Sequence, residues 1–195
     1  MPDRDTEGRL LEQAGRGDQS AFLELYERYR RPIFRFAYRL LGSVELAEDV
    51  THDCFIGLIR KPGNFDPSRA SLRTYLYGAA RNQAMKHFRN IRRESDLDDL
   101  AEDPIVPTRY EPLHQLLDEE LSETVRTAVA RLPPLQREAL VLFEFEGLTL
   151  SEIARVVGTD VGAVKARLHR ARERLKNMLR HYLNSDREIV TLKEA

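Results

Sequence analysis

The chain has one cysteine, Cys54, so no internal disulfide can form and a structural metal would depend on scattered histidines. It has no apolar run near the roughly 18 residues that span a bilayer. Its opening, MPDRDTEGRL, shows neither the basic start nor the apolar stretch of a secretory signal. These lacks predict a reduced, cytoplasmic setting, no structural zinc and no membrane insertion of its own. Alternating β-branched runs are missing as well, which argues against sheets. What is present is a hydrophobic fraction of 42% over 195 residues, enough for real cores in one ordinary domain or two small ones.

The net charge of -1 hides a segregation along the chain. Arg69, Arg73, Arg81, Lys86, Arg89, Arg92 and Arg93 form a stretch without an acidic residue. The segment ESDLDDLAEDPIVPTRYEP follows with Glu94, Asp96, Asp98, Asp99, Glu102 and Asp103 and then Pro104, Pro107 and Pro112, which reads as an acidic linker. A second basic block holds Lys165, Arg167, Arg170, Arg172, Arg174, Lys176 and Arg180 against Glu173 alone. Two basic modules on an acidic tether suit a polyanion gripped at two places.

Apolar residues recur at three and four, predicting an all-α protein: two small helical domains joined by a flexible acidic linker. In the first module Phe22, Leu25, Tyr26 and Tyr29 share a face, with Asp18 or Ser20 as cap. Pro32 is expected to open a further stretch through Ile33, Phe36, Ala37, Leu40 and Leu41, stopped by Gly42. Ser43 starts a helix with Leu46, Val50, Cys54, Phe55 and Leu58 inside; KPGNFDPSR is a loop. A last helix, roughly 71–92, turns Leu72, Leu76, Ala79, Ala80 and Ala84 inward and leaves its arginines outside. Past the linker, helices are expected at about 113–131, 134–146, 149–157 and 161–183.

The segment TLSEIARVVGTDVGAVKARLHRARERL is the most informative. Thr149 and Glu152 make a capping box, Gly158 supplies a left-handed stop, and Asp160 is placed to cap the next helix. In that helix Val161, Val164, Leu168, Ala171 and Leu175 make one buried stripe at about 100° per residue. The opposite surface carries Ala166, His169, Arg170 and Glu173, flanked by Lys165, Arg172, Arg167 and Arg174. A basic stripe alone is most often a solvated face. A capped, glycine-broken pair of helices with small residues Gly162, Ala163 and Ala166 at the start of the second is instead a helix-turn-helix shaped for a major groove.

The run RLPPLQREALVLFEFEGLTLSEIARVVGTDVGAVKARLHRARERL, with AEDVTHDCF and SLRTYLYGAARNQAMKHFR before it, resembles the extracytoplasmic-function group of the bacterial sigma-70 superfamily, the small promoter-recognition subunits of RNA polymerase. The likeness covers nearly the whole chain. It implies a region 2 domain over 10–94, a linker over 95–112, a region 4 domain over 113–183 and a tail over 184–195. It implies core polymerase as partner, through the β′ coiled coil and the β flap, together with promoter DNA and an anti-sigma factor. Glu48, Asp49, His52 and Asp53 become the contacts to the β′ coiled coil. Phe65, Tyr75, Tyr77, Arg81, Asn82, Lys86 and Arg89 become the readers of the −10 element, the aromatics stacking an unpaired base and the cations holding its backbone. Lys165, Ala166, Arg167, His169, Arg170 and Arg172 become the readers of the −35 duplex. Tyr75 stands where the family commonly has tryptophan, and His52 where it commonly has glutamine.

Two other classes fit less well. A stand-alone helix-turn-helix regulator would need a ligand pocket or dimerising arm instead of a second basic module. For an enzyme, His52, Cys54, His87, His114, His169 and His181 show no paired-ligand spacing, and neither a phosphate loop nor a nucleophile motif appears, so no catalysis and no cofactor are expected. Cys54 reads as core, and the tail NSDREIVTLKEA as disordered.

Overall fold

The computed structural model describes the backbone of residues 4–95 and 123–191, with side chains described for 6–89 and 124–180. Most of the linker over 95–112, His114 and the first part of the helix expected at 113–131 lie outside the described residues. Among the described residues every regular element is a helix. The first region comprises α1 (Arg4–Gly15), α2 (Gln19–Leu41), α3 (Val44–Arg60) and α4 (Leu72–Ser95), with one 3-10 turn at Pro62–Asn64. The second comprises α5 (Glu123–Ala130), α6 (Pro134–Leu140), a π-helical turn at Val141–Phe145, α7 (Leu150–Val157) and α8 (Val161–Thr191).

Local chemistry sets most of the ends. Asp18 Oδ1 accepts from the backbone N–H of Ser20 at 2.9 Å and of Ala21 at 3.1 Å, satisfying two of the orphan donors that open α2. Gly42, at φ 71, closes it by donating to the Tyr38 carbonyl. Ser43 Oγ caps α3 through Leu46 N–H at 3.2 Å. Pro32 does not open a new helix, because α2 runs through it unbroken. A proline inside a helix costs about 3 kcal/mol in isolation. Here Tyr29, Ile33, Phe36 and Ala37 on either side are all buried, and that packing outweighs the missing hydrogen bond. Helix α1 was not anticipated, although Glu7, Leu11 and Ala14 recur at helical spacing and are buried against the bundle.

In the second region the Thr149–Glu152 box is complete. Glu152 N–H donates to Thr149 Oγ1 at 3.3 Å, and Thr149 N–H to Glu152 Oε2 at 2.9 Å. Burial would raise the Glu152 carboxyl, but these Thr149 donors, with Arg73 and Arg155 nearby, hold it below the usual range. Asp160 caps α8 through Ala163 N–H at 2.8 Å. Val164, Leu168 and Ala171 are buried as the stripe requires, and Val161 and Leu175 are half-buried. The expected helix end at 183 is wrong: α8 continues to Thr191, so residues 184–191 of the tail are helical instead of disordered. No glycine or proline occurs in that stretch to stop the helix.

The two regions are packed together. Helix α4 lies against α7, and α2 lies against α6 and the π turn. One apolar cluster runs without a break from Leu11, Phe36 and Tyr77 in the first region to Leu142, Ile153 and Leu168 in the second.

Gly158 sits at φ +69 with open space where a Cβ would go, so a substitution there meets backbone strain and nothing else. Gly158→Ala should destabilise the second region by about 1–2 kcal/mol, read as a lower urea midpoint at unchanged slope.

Candidate nucleic-acid interface

Helix α8 presents the expected surface. Lys165, His169, Arg170 and Arg172 are exposed, and Ala166 and Arg167 are half-buried beside them. Thr149, Gly158 and Asp160 fix the angle at which α7 hands over to α8, so the face is held by caps at both ends of the turn. Two of its cations already have protein partners. Arg172 donates to Glu144 Oε1 from Nη2 at 2.6 Å, with its guanidinium 5.4 Å from the Phe143 ring centroid. Arg167 donates to Glu138 Oε1 at 2.9 Å. Lys165, His169 and Arg170 form the outward edge.

The residues expected to read the −10 element do not form one surface; the turn of α4 divides them. Tyr75, Asn82 and Lys86 line a cleft of about 350 Å³ between α3 and α4, whose other wall includes Asp53, Cys54, Gly57 and Asn64. Asn82 and Lys86 are exposed and Tyr75 is half-buried. Lys86 Nζ donates to Gln83 Oε1 at 2.8 Å, and Gln83 reaches toward Asp53 at 3.4 Å, so a short polar chain crosses the cleft. Phe65 is buried and packs edge-on against Tyr75, 5.5 Å between centroids, so it supports the tyrosine and is not itself an open stacking face. Arg89 is exposed farther along the helix.

Arg73, Tyr77 and Arg81 recur every fourth residue and form a second stripe of α4, turned toward the other region. The expectation that the helix leaves its arginines outside fails here. Arg81 donates from Nε to Glu138 Oε2 at 2.8 Å and from Nη2 to Glu138 Oε1 at 3.3 Å. Arg73 donates to the Glu146 carbonyl. Tyr77 is fully buried, donates its hydroxyl to Glu146 Oε2, and packs edge-on against Phe36. Burial, and then the Glu146 charge, raise its phenol above the ordinary range. In this arrangement Tyr77 offers no face to a base, because the second region covers it.

Helix α3 turns Glu48, Asp49, His52 and Asp53 to solvent on one side while Val50, Thr51, Cys54 and Phe55 face the core. Asp53 also borders the cleft, so this acidic face and the cleft are continuous.

The comparisons with known proteins agree with this layout. Residues 25–103 match the family described as Sigma-70 region 2, and residues 122–175 match Sigma-70, region 4. The ECF RNA polymerase sigma factor SigW of Bacillus subtilis (strain 168) is 32% identical over 88% of this chain and 96% of its own length. The chain belongs to the ECF sigma factors. It therefore directs promoter-specific initiation of transcription. The RNA polymerase sigma-H factor of Pseudomonas aeruginosa is 34% identical over 94% of this chain and 98% of the relative. Among solved structures, the sigma factor RpoE of Bartonella quintana, captured with the anti-sigma factor NepR, is similar with a TM-score of 0.62 at 26% identity. That match covers 82% of this chain and 96% of that one.

Three residues of this sigma factor that the sequence reading did not single out hold its two regions together: Arg137, Glu138 and Glu146. All are buried and polar. Arg137 donates to the carbonyls of Ala130 and Leu132 within its own region and, at 2.6 Å, to the Leu40 carbonyl at the end of α2. For Arg137 and Glu138 the sequence does hold a signal: each is a charged residue whose neighbours three and four positions away are all apolar.

No helix among the described residues is long and apolar enough to cross a membrane. No group of three or more potential ligands gathers around a common point there either. Burial, and then the neighbouring Asp53 charge, push the Cys54 thiol up to about 12. Negligible thiolate is present at pH 8, so iodoacetamide should leave the native sigma factor unmodified and label Cys54 only once denaturant is added. Labelling at the rate of a free thiol in the native state would contradict its placement in the core.

Proposed function

We propose that region 4, over 113–183, reads the −35 duplex through α8 and that region 2, over 10–94, captures and opens the −10 element at α4. The arrangement at α8 carries this reading: a capped two-helix unit whose second helix turns Lys165, His169 and Arg170 outward. Ala166 and Gly162 let the backbone approach the groove, Arg170 is placed for a base edge, and Lys165 and Arg167 are placed for phosphates. In region 2 the cleft beside α4 supplies what strand capture needs. Tyr75 offers an aromatic wall, Asn82 a paired donor and acceptor for a base edge, and Lys86 and Arg89 cations for the backbone. At about 350 Å³ the cleft lies at the small end of the range of about 300–1,000 Å³ for ligand sites, which suits a single unstacked base.

The exposed acidic face of α3, Glu48, Asp49, His52 and Asp53, is the proposed dock for the β′ coiled coil of core RNA polymerase, and region 4 faces the β flap. Phosphodiester chemistry belongs to the core enzyme, and this subunit acts beside it in the cytoplasm. An anti-sigma factor is a proposed further partner, because a sigma factor of the same fold is known captured with one. A stand-alone regulator is disfavoured by the second DNA-facing module.

The two modules should fail differently. Arg170→Ala should weaken closed-complex formation by roughly 1–3 kcal/mol if it contacts a base. Asn82→Ala should slow opening more than it weakens initial binding. The assay is permanganate footprinting beside filter binding, with reconstituted holoenzyme on a fully paired template and on one with a pre-opened −10 bubble. The bubble should rescue Asn82→Ala and leave Arg170→Ala impaired; equal rescue of both would refute the division of labour.

Holoenzyme affinity should also fall steeply with salt, with a log–log slope of about −0.9 for each phosphate neutralised. A salt-independent affinity, measured by the same filter assay between low and physiological salt, would contradict a phosphate-gripping surface.

A further inference from the structure

Arg172 is held on two sides by residues outside its own helix. Its side-on edge, Nε at 3.2 Å and Nη2 at 2.6 Å, donates to Glu144 Oε1, and its guanidinium lies 5.4 Å from the Phe143 ring centroid. The next two residues grip another arginine in the same way: Glu146 Oε1 accepts from Arg39 at 3.0 Å, and the Phe145 ring centroid lies 4.6 Å from its guanidinium. Glu146 is buried, whereas Glu144 and Arg172 are both exposed. An exposed ion pair adds little to stability, so what Glu144 contributes is the place at which it holds the guanidinium. It stands on a rigid base. Val141 and Leu142 of the same π turn are fully buried, and the turn is closed by Glu146 N–H on the Val141 carbonyl at 3.1 Å and by Leu148 N–H on the Leu142 carbonyl at 3.0 Å. Along α8, Lys165, His169, Arg172 and Lys176 recur at four, three and four and are all exposed, so they form one file beside that turn. A guanidinium carries its N–H donors in a flat fork. With the side-on edge occupied, the end-on donors of Arg172, on Nη1 and the second hydrogen of Nη2, have no partner among the described residues. Such a pair matches two oxygens of a phosphate.

We propose that Glu144, with the Phe143 ring as a floor, is a positioning residue for Arg172: it fixes the side-on edge so that the end-on edge meets one phosphate of the −35 duplex and sets the register of α8 in the groove. The inference rests on the reading of α8 as the −35 helix. Phosphate contacts locate a protein along the duplex, while base contacts select the sequence. A free lysine or arginine must be immobilised when DNA arrives, which lowers affinity. Arg172 is already ordered. The Glu144 carboxylate also repels the phosphate, but it does so from the far edge of the guanidinium at an exposed site, where the dielectric of water weakens the effect. Ordering therefore outweighs repulsion, and loss of Glu144 weakens binding although it removes a negative charge from a DNA-facing surface.

Reconstituted holoenzyme is compared as wild type, Glu144→Ala, Glu144→Gln, Arg172→Ala and the double alanine variant, by filter binding to a fully paired promoter template over a salt series. Far-UV circular dichroism checks that each variant is folded. Arg172→Ala should weaken binding and flatten the log–log salt slope by about 0.9, the loss of one phosphate contact. Glu144→Ala should weaken binding about threefold at an unchanged slope, because the phosphate is still neutralised. Glu144→Gln keeps an acceptor oxygen in the same place and should restore wild-type affinity. Once Arg172 is replaced, removing Glu144 as well should cost nothing more. Templates that each carry one neutral methylphosphonate across the −35 element read the register. The sensitivity that depends on Arg172 should fall on a single phosphate in the wild type and spread to its neighbours in Glu144→Ala. Unchanged or tighter binding by Glu144→Ala beside a weakened Arg172→Ala would overturn the proposal and make Glu144 a competitor of DNA. A further loss in the double variant would overturn it as well, since Glu144 would then act elsewhere. Two controls, Lys165→Ala and Arg170→Ala, separate this inference from the reading beneath it. If they weaken binding and Arg172→Ala does not, the −35 reading stands and the phosphate contact is refuted; if none of the three weakens binding, the −35 reading itself fails.

Discussion

A buried carboxylate cannot be left alone, and the arrangement of this chain follows from where Glu138 and Glu146 find their partners. Removing an ion from water costs several kcal/mol even after relaxation, so each must meet guanidinium or hydroxyl donors in the place it is buried. Glu146 meets Arg39 and Tyr77, and Glu138 meets Arg81 and Arg167. These pairings fix which side of α4 faces α7 and which end of α2 meets the π turn. Arg137 adds a polar tie of another kind. Its guanidinium satisfies the Leu40 carbonyl, one of those that the end of α2 leaves without an intrahelical partner, while gripping Ala130 and Leu132 behind it.

The same pairings carry a desolvation cost. Burial raises the Glu138 carboxyl above the ordinary range, even though the Arg81 hydrogen bond and the charges of Arg81 and Arg167 pull the other way. A buried ionic contact of this kind constrains orientation, because each partner left alone would be an unpaired buried charge. The hydrogen bonds of the Thr149–Glu152 cap and of the Gly158 turn are made within region 4, whereas its apolar stripe belongs to the cluster that both regions share.

What could be read from the sequence was what depends on near neighbours. Asp18, Ser43, the Thr149–Glu152 box and Gly158 act within a turn of themselves, and all four do what their residue type requires. The buried stripe of α8 is equally local. Pro32 shows the limit of local rules, because the packing of Ile33 and Phe36 overrides its preference to start a helix. The arginines show a related limit: Arg73, Arg81 and Arg167 have protein partners here, and those of Arg73 and Arg81 lie 73 and 57 residues away in sequence. Nothing in the spacing of SLRTYLYGAARN says that Tyr77 will be sealed by a glutamate 69 residues on, whereas Tyr75, two residues earlier, keeps an edge on the cleft.

Helix α4 thus carries two chemistries on opposite sides of one rod, since two residues at about 100° each put Tyr75 and Tyr77 about 160° apart. Tyr75, Asn82 and Lys86 line a cleft that region 4 does not touch, and Arg73, Tyr77 and Arg81 meet region 4. On the proposed assignment a base can enter the cleft without disturbing the packing of region 4 on the opposite stripe.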